Sequence, residues 1–79
     1  MTTALADTTG FRSLLEEELG LRVGAADLDR PLDDFPEWDS VLLLRLVTVV
    51  ESAAGRRIPV VDLLQARTFR QLYEAVTGR

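Results

Sequence analysis

The chain has 79 residues, 47% hydrophobic and 28% charged, which fits one small globular domain and excludes a two-domain enzyme, a disordered tail or a fibrous repeat. It has no His and no Cys, and all nine basic residues are Arg, so imidazole and thiol nucleophiles, catalytic lysines and the usual zinc ligands are excluded together. A net charge of −4 argues against nucleic acid or an anionic membrane surface as the main partner.

A chain this short buries only about 60% of the surface its unfolded form exposes. With no disulfide available, packed helices are the expected solution. Residues 1–7 read as a flexible N-terminal arm. Phe11, Leu14, Leu15 and Leu19 then recur at helical spacing opposite Glu16, Glu17 and Glu18, predicting helix one over residues 8–19. Thr8 or Thr9 is the expected cap, and Gly20 can end the helix in the left-handed conformation.

From Leu21 to Asp39 the periodicity fails. Gly24, Pro31 and Pro36 punctuate the stretch, while Leu28, Leu32, Phe35 and Trp38 supply apolar anchors. A structured loop of this length is usually functional. Asp39 and Ser40 are both good caps for helix two, predicted over 40–54 with Gly55 as terminator. On its wheel Leu43, Leu46, Val47, Val50 and Ala54 face inward, and Arg45, Thr48, Glu51 and Ser52 face out. The outer sector extends back to Val41 and Leu44, with Leu42 on the flank, which suggests a docking surface.

Arg56-Arg57-Ile58-Pro59 follows, and Pro59 is placed to open a short third helix carrying Val60, Val61, Leu63 and Leu64. Thr68 and Gln71 match a capping box for helix four, with Phe69, Leu72, Ala75 and Val76 inward and Gly78 at its end. No repeat interrupts this order. The expectation is one all-α domain over 1–79, with a long loop between helices one and two.

Charge is uneven along the chain. Residues 1–26 carry −2 and 41–79 carry +3, whereas Asp27, Asp29, Asp33, Asp34, Glu37 and Asp39 against Arg30 alone give 27–40 a charge of −5. A basic partner surface would be steered there, just ahead of Ser40; a solvated acidic loop is the plainer reading. The N-terminus shows no basic region followed by an apolar stretch, and Val41–Val50, broken by Arg45 and Thr48, is too short to span a membrane. A cytoplasmic protein, monomeric when free, is expected.

Ser40 is the residue whose setting stands out. A hydroxyl at a helix N-terminus faces backbone amides and the positive end of the helix dipole, where an attached phosphate would be stabilised. The plain alternative is that Ser40 only caps the helix. Its context resembles the acyl carrier proteins, the four-helix phosphopantetheine-binding modules of fatty acid, polyketide and nonribosomal peptide biosynthesis. The likeness rests on Glu18-Leu19-Gly20, the acidic loop at 27–37, Asp39-Ser40, and the Leu46, Val50, Glu51 run. Ile58-Pro59, eighteen residues after Ser40, and Thr68 complete it.

The resemblance implies that Ser40, with Asp39 beside it, receives 4′-phosphopantetheine from coenzyme A through a separate phosphopantetheinyl transferase. Acyl groups would then ride on the arm as thioesters, so Ser40 is a substrate and the chain a carrier with no catalytic residue of its own. Glu37-Trp38-Asp39-Ser40 differs from the Gly-Gly-His-Ser common in peptidyl carriers, and Leu42 and Arg45 stand where the fatty acid type often has acids. The expectation is a free-standing acyl carrier of polyketide or related secondary metabolism, served by an acyltransferase, ketosynthase or adenylating enzyme. Trp38, Val41, Leu42, Leu44, Arg45 and Thr48 form the expected partner surface, although core packing is the simpler role for Trp38. An aminoacyl or peptidyl carrier, and an unmodified helical adaptor, are the alternatives.

Overall fold

The computed structural model describes residues 7–55 and 57–77. Expectations for residues 1–6, for Arg56 and for Gly78 lie outside the described residues. Four helices follow in chain order: α1 (Thr8–Leu19), α2 (Ser40–Ala54), α3 (Val60–Leu64) and α4 (Phe69–Thr77). The long α1–α2 connection carries two 3-10 turns, Ala25–Asp27 and Leu32–Asp34. Among the described residues there is no strand, only an isolated antiparallel bridge between Pro31 and Thr68. The all-α, four-helix architecture with a short third helix is the one expected.

Short polar side chains set where the helices begin. The cap of α1 is Asp7, whose carboxylate accepts the Gly10 N–H at 2.9 Å; Thr8 and Thr9, the expected caps, are the first two helical residues. Asp also places a negative charge at the positive end of the helix. Asp39 caps α2 in the same way, its Oδ1 accepting from Leu42 N–H at 2.9 Å, and Ser40 is the first helical residue. The reading of Ser40 as the cap is therefore replaced by Asp39. Gly20 and Gly55 end α1 and α2 with φ of 66° and 70°, conformations open to glycine at little cost.

Pro59 stands one residue before α3 instead of in its first turn, because its ψ of 118° is extended. Glu51 on α2 reaches back to accept the Ile58 N–H at 2.9 Å, fixing the α2–α3 connection. At α4, Thr68 Oγ1 accepts the Gln71 N–H at 3.1 Å, as a capping box requires. The return bond differs, since Gln71 Oε1 accepts from Arg67 N–H, one residue earlier than the box predicts.

The buried face of each long helix is the predicted one. Phe11, Leu14, Leu15 and Leu19 of α1 meet Leu43, Leu46, Val47 and Val50 of α2 and Phe69, Leu72 and Val76 of α4. Tyr73 joins them with its ring 5.5 Å from that of Phe11, while Ala54 and Ala75, expected inward, are half-buried. The connection contributes Leu21, Val23 and Leu28 to the same core. No polar or charged side chain is buried among the described residues.

The second half of the connection is fastened to the start of α4. Leu32 N–H donates to the Arg67 carbonyl at 2.8 Å, and Arg70 N–H to the Leu28 carbonyl at 3.0 Å. The Phe69 ring, fully buried, meets those of Phe35 and Trp38 nearly at right angles, at 5.0 and 5.3 Å between centroids. Outside this, Arg70 grips Asp29 with two nitrogens at 2.7 and 3.3 Å, which raises its pKa. Arg30 pairs with Asp27 at 3.1 Å and Asp34 at 3.4 Å while lying over the Phe35 ring. The Gly24 N–H, and then Arg30, hold the Asp27 carboxyl below its usual range. Three loop acids are thus paired internally, so the negative field expected over 27–40 narrows to Asp33, Glu37 and Asp39.

The capping assignment predicts that Asp39→Ala costs about 1 kcal/mol, read as a lower urea midpoint, while Ser40→Ala stays within about 0.5 kcal/mol; the reverse order would make Ser40 the cap. Phe69→Ala should cost about 3–5 kcal/mol. Phe69→Leu, which keeps the site apolar but removes both ring contacts, should leave a folded protein whose single Trp emits further to the red. An unshifted spectrum would show that Trp38 is held by something else.

Candidate functional site

The segment Trp38-Asp39-Ser40 leaves the anchored loop and enters α2, and each residue takes a different task. Trp38 is half-buried, packed on Phe69, and its backbone N–H donates to the Phe35 carbonyl at 3.0 Å. Asp39 spends its carboxylate on the first turn. Ser40 is exposed, and among the described residues its hydroxyl has no hydrogen-bond partner.

The first-turn amides are only partly satisfied. Leu42 N–H goes to the Asp39 carboxylate and Leu43 N–H to the Asp39 carbonyl, leaving those of Ser40 and Val41 without a described partner. Free N–H groups at the positive end of a helix favour an anionic group. The Asp39 carboxylate beside them opposes it, so the end suits a phosphate that is covalently fixed better than a free anion.

A groove of about 790 Å³ opens alongside Ser40. Trp38, Leu43, Leu63 and Leu64 give it an apolar side, and Asp33, Gln65, Arg67 and Thr68 a polar one. It runs between the anchored loop, the start of α2 and the α3–α4 connection. Among the described residues no three acidic, His or Cys side chains gather to hold a metal ion. No described helix is long and apolar enough to cross a membrane.

Of the residues singled out from sequence, Val41, Leu44, Arg45 and Thr48 share the exposed outer face of α2. The Thr48 hydroxyl is engaged, donating to the Leu44 carbonyl at 3.2 Å. Trp38 and Leu42 pack against the core and stand apart from that face. Two exposed residues escaped the sequence reading, Val61 and Leu64 on α3. The signal was there in principle: a five-residue helix cannot turn four apolar side chains to one core.

A protein-family model described as the phosphopantetheine attachment site matches residues 9–76, which reaches from α1 to α4 and includes the site. Comparisons with the curated proteins and with the solved structures return no significant match. The match spans most of the chain and agrees with the helical architecture. The chain belongs to the phosphopantetheine-attachment family of carrier proteins, whose cofactor is covalent 4′-phosphopantetheine.

Proposed function

We propose that Ser40 is the attachment residue and that the protein is an acyl carrier of polyketide or related secondary metabolite biosynthesis, acting in the cytoplasm. The observation that carries this reading is the division of labour at the start of α2. Asp39 makes the cap, so the Ser40 hydroxyl is exposed and unengaged at the head of the helix. The residues present fit the group: unpaired amides at Ser40 and Val41 suit its phosphate, and the groove beside Ser40 offers apolar and polar walls to its arm.

In the attachment step Ser40 Oγ attacks the phosphorus of coenzyme A that bears the pantetheine. An O–P bond forms, the pyrophosphate P–O bond breaks, and adenosine 3′,5′-bisphosphate leaves with the bonding pair. The chain holds no His or Lys to take the hydroxyl proton, and the Asp39 carboxylate beside Ser40 is engaged with the Leu42 N–H, so a base on the transferase receives it. When bound, the cofactor supplies a thiol that holds acyl groups as thioesters. The chain's own residues present it: Asp39 fixes the helix end, Trp38 and Phe69 fix the approach, and the outer face of α2 meets the acyltransferase, ketosynthase or ligating enzyme of the pathway.

One feature of the chain supports the acyl side: no His precedes Ser40, unlike in many peptidyl carriers. Another argues against primary fatty acid synthesis, since Leu42 and Arg45 stand on α2 where acids are common in the fatty acid type. Arg45 has no ion-pair partner among the described residues.

Incubation with coenzyme A, Mg²⁺ and a broad-specificity phosphopantetheinyl transferase should add one phosphopantetheine to the intact mass, and Ser40→Ala should abolish the gain. A folded wild type that gains nothing from an active transferase would refute the attachment reading. Arg45→Glu should lower acyl transfer with the pathway enzyme about tenfold; unchanged kinetics would remove Arg45 from the partner surface.

A further inference from the structure

Trp38 lines the groove beside Ser40 and brings to it a hydrogen-bond donor with nothing to bind. Its indole N–H is open to solvent and has no hydrogen-bond partner among the described residues. The ring itself is half-buried, and a tryptophan N–H in that setting ordinarily finds a partner. Packing against Phe69 accounts for the ring. It does not account for the choice of a side chain that adds a polar edge, since a phenylalanine would pack there without one.

The donor is held before any acceptor arrives. The Phe69 ring, fully buried, stands nearly at right angles to the indole at 5.3 Å between centroids, and the Phe35 carbonyl accepts the Trp38 backbone N–H at 3.0 Å. A side chain ordered by its own packing loses little further freedom when it forms a bond.

An acceptor of the right kind is the one tethered two residues away. The cofactor carries two amide carbonyls along its length, and a carbonyl oxygen is an ordinary acceptor for an indole N–H. Its methyl groups suit the apolar side of the groove formed by Trp38, Leu43 and Leu63. Attachment also changes what a weak contact can achieve, because a short flexible tether gives an effective concentration on the order of mM. One modest hydrogen bond can then retain an arm that it would not retain as a free ligand.

We propose that Trp38 is a positioning residue for the cofactor, its indole N–H donating to an amide carbonyl of the arm. The proposal rests on Ser40 as the modified residue. It gives Trp38 a second task beside the packing that fixes the approach to α2.

The test compares the intact chain before and after conversion with coenzyme A, Mg²⁺ and a broad-specificity transferase, with conversion read by mass. Trp38 is the single tryptophan, so its indole N–H gives one resonance in a nitrogen–proton correlation spectrum. Exchange of that proton with water should slow about two- to tenfold on conversion, the span one neutral hydrogen bond supports. Ser40→Asp, which supplies a negative charge but no amide, should exchange at the unconverted rate. Trp38→Phe keeps a ring for Phe69 and removes the N–H. The ratio of converted to unconverted folding equilibrium constants, from urea midpoints, should be about two- to tenfold lower in Trp38→Phe than in wild type; lost packing affects both forms alike and cancels. Unchanged exchange on full conversion, equal slowing in Ser40→Asp, or equal ratios in wild type and Trp38→Phe would each overturn the role of Trp38 and leave Ser40 as the attachment residue. A wild type that is never labelled, or a Ser40→Ala variant that still is, would overturn the Ser40 reading and this one with it.

Discussion

The connection that delivers Ser40 has no α-helix of its own, and its placement depends on one buried ring. Phe69 opens α4 and meets the Phe35 and Trp38 rings in T-shaped contacts. Each such pair contributes about 0.5–1.5 kcal/mol beyond the area it buries, whereas an exposed ion pair like Arg70–Asp29 is screened by solvent and adds little. The rings therefore hold the loop, and the charges and the two backbone hydrogen bonds to Arg67 and Arg70 choose its register. Because Trp38 lies two residues before Ser40, a fixed Trp38 limits where α2 can begin.

That start is then divided between neighbours. A capping serine would have its oxygen occupied by a first-turn N–H, and modification would remove the cap at the moment it added a bulky anion. With Asp39 as the cap, the attachment proposed at Ser40 leaves the capping bond to the Leu42 N–H intact. The two tasks need different chemistry, since capping needs an acceptor held inward and attachment needs a hydroxyl held outward. Adjacent residues across the helix boundary point in those two directions.

The helices were legible because their signals are local. The inward residues of α1 and α2 repeat over several turns, and Gly20 and Gly55 end both helices in the left-handed region. The α1 cap was ambiguous because Asp7, Thr8 and Thr9 are all competent, and only the chain direction distinguishes them. What stayed illegible is non-local or too short to have a period. Asp29 and Arg70 are 41 residues apart, Leu21 and Val23 reach the core from an aperiodic stretch, and α3 completes little more than one turn. At the site, Ser40 was legible from its position, but its freedom from capping was not, since Asp and Ser cap equally well. The exposure of Val61 and Leu64 depends on which side of α3 meets the core, which one turn of sequence does not specify.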